Sequence, residues 1–408
     1  MTHTIAILAT LDTKGAEANY LREEVEALGG RALVIDIGVV GEPGCKSDVT
    51  REAVAEAGGK PLAEILAAPT RQDASPVMVA GATALLQRAV AAGEVHGVIG
   101  MGGTQGTANC TLVMQALPYG FPKVMVSTMA AGDTSAYVGV KDITMMFSVG
   151  DILGLNPVTR KILANAAAAT HGMAGSRVRL ERDTSGKPVI GVTNLGVLTT
   201  GAMHALELIA AAGYEAIVFH AVGSGGRAME QMMKDGLIGA VLDYALGELT
   251  DEVFDGLRAG GPERLTVAGK LGLPQVIVPG GIEHVGLIVE PNVVPERYAQ
   301  HLSTFHNPIV FCPRLNPDEM RQIARDIATR LGHTRGRACF MMPKASTSRY
   351  GAEGGELRLP EADAAFLDEL EQCLPETVEL VARDLDAEDP EFVREAVERL
   401  IALIEQGG

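Results

Sequence analysis

Tryptophan is absent from this 408-residue chain, and aromatic residues make up only 4% of it. Any core must therefore be built from Val, Ile, Leu, Ala and Met, which a 47% hydrophobic share supplies in quantity. Cysteine is sparse too. The five cysteines (Cys45, Cys110, Cys312, Cys339 and Cys373) are scattered and form no CxxC pair. That argues against a disulfide framework or a structural zinc site and points to a reducing compartment. Positive charge is short: 34 Lys and Arg stand against 51 Asp and Glu, for a formal net charge of −17. A chain without a basic footprint is not expected to take nucleic acid or an anionic membrane as a general partner. A small anionic ligand stays open, because backbone amides and helix N-termini bind anions locally. No run approaches the ~20 apolar residues of a membrane span. The opening "MTHTIAILATLDT" lacks a basic segment followed by an apolar one, so no signal peptide is expected and the expected compartment is the cytoplasm. Missing motifs narrow the chemistry further. No GxxxxGK[ST], no GxSxG and no HExxH occurs anywhere, which removes the P-loop, the hydrolase nucleophile elbow and the zincin helix.

What is present is alternation. "TIAILAT", a polar "LDTKG", the helix-spaced "AEANYLREEVEALGG" and "RALVIDIGV" give strand, loop, helix and strand, the pattern of a parallel sheet. The pattern weakens from Gly41 to Pro76, which reads as an excursion holding a short helix. It resumes with a helix over 77–92, a strand at "VHGVIGM", a helix over 108–117 and strands at "PKVMVST" and "DITMMFSV". A helix in "LNPVTRKILANAAAATHGMA" leads out of this part. The order then starts again at "VIGVTNLGVLTTGAMHALELIAAAGYEAIVFHAVGSGG", which lies well beside the first segment. The length and the restart predict two similarly built α/β domains, 1–180 and 181–408, with mainly parallel sheets and an interdomain cleft, joined by a helix and the polar "ERDTSGK". Near the end, Asp389 and Pro390 open an amphipathic helix expected to dock without taking part in chemistry.

Two glycine clusters carry the functional signal. In the first domain Gly102, Gly103, Thr104, Gln105, Gly106 and Thr107 lie between a strand and a helix. Glycines there let amides face a ligand, and the helix adds its positive end. The spacing is GxGGxxG, and no acid ends the next strand, "VMVST", so this is not the dinucleotide fingerprint. A tight turn with no ligand is the competing reading. The second cluster, Gly223, Ser224, Gly225 and Gly226 followed by Arg227, repeats the device and is a candidate for the carboxylate or phosphate of a substrate. Asp12, Thr13 and Lys14 follow the first strand; they could meet a metal, a ribose and a phosphate, or simply cap a helix. Thr128, Gly132, Asp133 and Thr134 form a small polar loop after another strand. Gly280 and Gly281 follow a strand of the second domain, with Glu283, His284, His306 and Arg314 after them. His284, His306 and Glu230 are the candidate acid–base or metal groups. Cys110 and Cys312 have no local support as nucleophiles.

Taken in order, "ATLDTKGAE", "GMGGTQGT", "STMAAGDT", "HAVGSGGRAMEQM" and "VPGGIEH…HNP" resemble an uncharacterised, mostly bacterial family related to the ATP-binding N-terminal region of the tomato mosaic virus resistance protein. The resemblance spans essentially the whole chain. It implies two Rossmann-like three-layer domains and ATP as ligand, with Mg²⁺ as its usual companion. It also places Asp12, Thr13, Lys14 and the Gly102–Thr107 loop at the nucleotide. The plant relatives carry a further barrel-like C-terminal domain, so a joint activity here would need a separate partner bearing one. Three functions fit: an ATP-binding enzyme acting on a small carboxylate or phosphorylated metabolite, a non-catalytic sensor, and a metabolite enzyme that uses no nucleotide. A homo-oligomer is compatible with the Ala-, Val- and Met-rich composition.

Overall fold

A computed structural model of the chain describes residues 2–67, 71–178, 180 and 186–406. The polar part of the expected connector, 181–185, lies outside the described residues. The chain divides into two compact units, Met1–Glu181 and Arg182–Gly408.

The first unit runs β1 (Thr4–Ala9), α1 (Leu11–Ala27), β2 (Arg31–Asp36), α2 (Arg51–Ala57), α3 (Leu62–Ala67), α4 (Arg71–Ala91), β3 (Gly97–Gly102), α5 (Thr104–Gln115), β4 (Lys123–Ser127), α6 (Ser135–Val138), β5 (Thr144–Phe147) and α7 (Pro157–Ala174). Its five strands pair in the order β2-β1-β3-β4-β5, all parallel. Alternate residues of β1 feed opposite faces. Ile5, Ile7 and Ala9 pack with Leu21 and Val25 of α1 and Leu163 of α7. Ala6 and Leu8 pack with Val54, Leu86 and Val113 from α2, α4 and α5. A strand buried on both faces reads as an unbroken apolar run, which is why "TIAILA" shows no polar alternation. The excursion over 41–76 holds two short helices, α2 and α3, rather than one, and the helix expected over 77–92 starts earlier, as α4, with Pro76 inside it.

The second unit runs β6 (Ile190–Asn194), α8 (Thr199–Ala211), β7 (Ala216–His220), α9 (Ser224–Lys234), β8 (Ala240–Asp243), α10 (Gly247–Val253), α11 (Val267–Leu271) and β9 (Gln275–Ile277). After it come β10 (Leu287–Ile288), β11 (Ser303–Asn307), β12 (Val310–Pro313), α12 (Pro317–Leu331), β13 (Ala338–Pro343), α13 (Pro360–Cys373), β14 (Val378–Arg383) and α14 (Pro390–Glu405). Six strands form a parallel sheet ordered β14-β13-β9-β8-β6-β7. Read from its first strand outward, this repeats the order of the first unit with one strand added. Helices α8 and α14 cover one face through Ala205, Ile209, Phe392 and Leu400. On the other face α12 and α13 pack Ile323, Ile327 and Phe366 against Phe340 of β13, and α9 packs Met229 and Met233 against Val241 of β8. The chain is thus two mainly parallel, Rossmann-like α/β units. Strands β10, β12 and β11 form a separate antiparallel sheet inserted after β9, which the sequence pattern does not announce. Asp389 caps α14 as expected, its side chain accepting from the Glu391 amide at 2.8 Å.

Candidate functional site

In both units the chain leaves the first strand to one side and returns to place the third strand on the other. Such a reversal opens a crevice at the carboxyl ends of the strands, the usual ligand position in this architecture. Each unit has a cavity there.

In the first unit the cavity is ≈ 200 Å³. Its polar lining includes Asp12 and Thr13 after β1, Ser75 on α4, and Gln105 and Asn109 on α5; Ile37, Val39 and Met78 supply apolar walls. The Gln105 amide donates to Ser75 Oγ at 3.0 Å and to Asn109 Oδ1 at 2.9 Å. The glycine stretch is shorter as a loop than its spelling suggests. Gly102 ends β3, Gly103 is the N-cap, and Thr104 to Thr107 form the first turn of α5. Gly102 is required for packing, because a Cβ there would lie 2.8 Å from the Gly106 Cα. Gly103 is different: a Cβ there would meet only Thr128 Oγ1, at 3.8 Å. Thr107 turns inward, with its hydroxyl 2.6 Å from that of Ser127. Lys14 spends its ammonium on the Ile152 carbonyl. Gly132 and Asp133 lie exposed in the β4–α6 loop, where Asp133 accepts from the Ser135 amide.

Several helix N-termini at these edges are covered by the chain's own carboxylates. Asp36 accepts from the amides of Leu11, at the start of α1, and Gly38, at 3.1 and 2.8 Å; burial pushes its carboxyl up. Glu388 accepts from Thr200 and Gly201 at the start of α8, at 2.9 and 3.3 Å. Glu248 accepts from Gly223 and Gly226 at the start of α9, at 2.5 and 3.0 Å. Among the described residues, the first amides of α5, those of Thr104, Gln105 and Gly106, meet no such group.

The second glycine cluster is therefore built around an internal anion. Glu248 is itself held by Arg264, whose Nε donates to it at 2.6 Å while Nη1 and Nη2 grip Asp243 at 2.5 and 2.6 Å. Gly226 leaves room for this contact, since a Cβ would lie 2.7 Å from the Glu248 Cδ and closer still to Glu248 Oε2 and Arg264 Nε. Gly223 has φ +88°, and a Cβ on Gly225 would press on the His220 carbonyl. The Arg227 guanidinium returns to the Gly223 carbonyl at 3.2 Å. Ser224 is exposed. Glu230 lies in the same buried network and accepts from the Leu265 and Val267 amides at 2.6 and 3.2 Å. Burial pushes its carboxyl up to about 7, against the pull of Arg264 and with the repulsion of Asp243. Three carboxylates around one guanidinium leave surplus negative charge, which a proton on Glu230 relieves. Glu230 does not line the cavity of this unit.

That cavity is ≈ 300 Å³ and brings together His220, Arg258, His284, His306, Cys312 and Tyr350, with Leu195, Val197, Val222, Leu257 and Val310 as apolar walls. Two of the three expected acid–base groups, His284 and His306, thus meet in one place. Arg258, only 6% exposed, donates from Nε and Nη2 to the two Asp251 oxygens at 2.8 and 2.9 Å. Its Nη2 also reaches the His284 carbonyl at 3.0 Å, and its Nη1 lies 3.2 Å from His284 Nε2. A guanidinium has no acceptor, so His284 accepts at Nε2 and keeps its proton on Nδ1. That Nδ1–H faces Glu283 Oε1 at 3.1 Å. Glu283 is fully buried and also accepts from the hydroxyls of Thr347, at 2.8 Å, and Ser348. Burial alone would push its carboxyl up. The hydrogen bonds from the His284 Nδ1–H and from Ser348, together with the charge of Arg314, outweigh that and hold it well below the usual carboxylate range. His306 Nδ1 lies 3.1 Å from the Tyr350 hydroxyl, and the Tyr350 ring meets the His284 ring edge-on at 5.4 Å. Burial pushes the Cys312 thiol up to about 11, so it stays protonated.

Gly280 and Gly281 serve the backbone beneath this cavity: a Cβ on Gly280 would strike the Tyr244 carbonyl, and Gly281 has φ +69°. Arg314 is a buried hub that donates to the carbonyls of Glu283 and Leu357 at 3.0 Å and to Asp363 at 2.6 Å. Sequence reasoning did not single out Arg258 and Tyr350. Arg258 sits in "GLRAGG", which carries no motif. Tyr350 follows the small polar run "ASTS" after a strand, the same kind of signal that drew attention to Thr128. Among the described residues no group of three or more His, Cys, Asp or Glu could hold a metal ion, and no helix is long and apolar enough to cross a membrane.

The sequence matches known proteins along its length. A model of the N-terminal domain of an uncharacterised protein family, UPF0261, matches residues 3–179, and one of its C-terminal domain matches 187–404. A UPF0261 protein of Clostridium tetani is 38% identical over 408 residues, covering 100% of both chains. The ToMV resistance protein Tm-1(GCR237) of Solanum lycopersicum is 33% identical over 315 residues, which is 76% of this chain and 42% of the tomato protein. Among solved structures, MurG of Acinetobacter baumannii aligns over 100% of this chain and 94% of its own at 12% identity, with a TM-score of 0.24. A likeness that slight carries no functional argument.

Proposed function

Because this chain belongs to the uncharacterised UPF0261 family, membership brings no activity with it, and we propose that the protein binds ATP, with the phosphates at the N-terminus of α5 in the first unit. The observation that supports this is the contrast among helix ends. The starts of α1, α8 and α9 are covered by Asp36, Glu388 and Glu248, whereas the amides of Thr104, Gln105 and Gly106 meet no carboxylate among the described residues. Amides at a helix start, backed by the helix dipole, suit phosphate oxygens. The open space beside Gly103 lets a ligand approach the backbone. The adjoining cavity, at ≈ 200 Å³, is below the ~300–1,000 Å³ of a full ligand pocket, so it takes one part of the nucleotide. Its apolar walls at Ile37, Val39 and Met78 suit a base, and Asp12 and Thr13 suit hydroxyls. Mg²⁺ would be carried chiefly by the phosphates and supply charge neutralisation, with Asp12 as its carboxylate in that lining.

Calorimetric titration of ATP with Mg²⁺ tests this. Wild-type protein should bind. Gly103→Asp should lose binding while keeping its melting temperature, because the new side chain brings negative charge into open space. No binding by wild type, or equal binding by the variant, overturns the reading. Release of ADP, AMP or phosphate in the presence of a metabolite pool would mark an enzyme; binding without turnover would mark a sensor.

A further inference from the structure

The second unit's cavity carries an inference that does not depend on nucleotide binding. Its walls are mostly apolar; His220 and Cys312 also line it, and four of its polar residues are linked in a chain, Arg258 to His284, His284 to Tyr350 and Tyr350 to His306. The charges behind it are already matched. Asp251 holds Arg258 through two oxygens, Asp363 holds Arg314, and Glu283 adds a further carboxylate. Two guanidiniums thus face three carboxylates. An anionic substrate would add to a negative surplus carried by the buried carboxylates Asp251, Glu283 and Asp363, and charges out of water repel strongly. A neutral oxygen acceptor would not. Arg258 has five N–H groups, and four are spent on Asp251 and His284. One N–H on Nη1 remains, and Arg258 lines the cavity.

We propose that this cavity is a catalytic site for a small, largely apolar carbonyl compound, whose oxygen is taken by Arg258 and Tyr350 and whose adjacent carbon gives a proton to His306. This differs from the carboxylate or phosphorylated metabolite expected from sequence. The step is an enolisation. The C–H bond next to the carbonyl breaks, and its electron pair becomes the carbon–carbon π bond. The carbonyl π pair moves onto oxygen, and the proton goes to His306 Nε2. With Nε2 as the base, the proton on His306 Nδ1 stays there and is donated in a hydrogen bond to the Tyr350 oxygen, which leaves the Tyr350 O–H free for the developing oxyanion. Burial keeps the phenol protonated for this task. Returning a proton completes the exchange, so no co-reactant is needed. His284 acts as a positioning residue: Glu283 and Arg258 fix its ring, and its ring in turn supports Tyr350.

The test uses full-length protein in D₂O with methyl isobutyl ketone, cyclohexanone and isovaleraldehyde, following loss of the α-proton signals by NMR. Isovalerate, with the branched skeleton of the first ketone but a carboxylate head, is the paired probe in saturation-transfer measurements. At least one neutral compound should bind more tightly than isovalerate and exchange faster than in buffer. His306→Ala should slow that exchange by about 100-fold or more, the lower end for general acid–base catalysis. Tyr350→Phe should slow it less. His306 is exposed and Tyr350→Phe removes one oxygen, so both variants should melt as wild type does. Isovalerate binding as well as the ketones, no exchange with any probe, or undiminished exchange in His306→Ala each overturns the proposal.

Discussion

Two glycine-rich loops that look alike in sequence should respond in opposite ways to a single methyl group. In Gly226→Ala the new Cβ would lie 2.7 Å from the Glu248 Cδ, and closer still to Glu248 Oε2 and Arg264 Nε. Neither neighbour can yield. Arg264 and Glu248 are both fully buried, Arg264 is gripped by both Asp243 oxygens, and Glu248 is held by two backbone amides. Making room means lengthening the 2.6 Å Arg264–Glu248 contact and one or both amide bonds. Hydrogen bonds to charged groups contribute about 1.5–3 kcal/mol each, and a buried pair broken on one side costs about 3–5 kcal/mol. A loss of about 4 kcal/mol is expected, which at roughly 2–4 °C per kcal/mol lowers the melting temperature of this unit by about 10 °C. Gly103→Ala has its nearest neighbour at 3.8 Å and a φ of −78°, which alanine adopts freely. Its gain from a stiffer unfolded chain and its loss of a good N-cap residue are each within ~1 kcal/mol and oppose one another. Differential scanning calorimetry measures both variants, and hydrogen exchange assigns the loss to the second unit. If Gly226→Ala melts within about 2 °C of wild type, or Gly103→Ala loses as much as Gly226→Ala, the argument that one loop is closed by its own carboxylate and the other is open fails.

Further outcomes follow from the buried charges and caps. Glu230 is raised from its ordinary value to about 7. Its contribution is therefore fully present below the ordinary value and is lost as pH rises through about 7, by up to about 3 kcal/mol at 1.36 kcal/mol per pH unit. Urea unfolding at pH 5 and pH 8 should show this fall in wild type and a smaller one in Glu230→Gln; equal falls would refute it. Asp251→Asn should destabilise by about 3–5 kcal/mol in urea, because it leaves the Arg258 guanidinium buried without its charge partner. Cys312 should resist iodoacetamide at pH 8 in the native state, since its thiol is pushed up to about 11, while the half-buried Cys45 and Cys373 label first. Asp389→Ala should cost about 1 kcal/mol of stability by thermal melting, as it removes the side-chain cap of α14.

Much of the architecture was legible because strand and helix signals are local. "TIAILA" and "VIGVTN" open two runs with the same succession of strand, helix and strand, and the two sheets share their strand order. The insertion β10–β12 was not legible, because two to five residues per strand are too few for a period to register. The lengths of the glycine loops were also misjudged. Glycine-rich spelling suggests loop, yet Thr104 to Thr107 and Ser224 to Gly226 are the first turns of α5 and α9. Glycine is there for close approach to Met101, His220 and Glu248, not for flexibility.

By itself the sequence determined that this is an α/β chain with two repeated units and its glycine loops at strand ends. Those properties follow from periodicity, composition and residues adjacent in the chain. It also brought His284 and His306 forward as candidates. Only the tertiary structure decided which glycine loop is closed, because Glu248 lies 22 residues beyond Gly226 and nothing local announces that its carboxylate returns to those amides. Only the structure joined Arg258 to His284, 26 residues apart, and His306 to Tyr350, 44 apart. A hydrogen bond needs about 3 Å in space and sets no limit on separation along the chain, so pairings of this kind become visible only when the sheet edges bring them together.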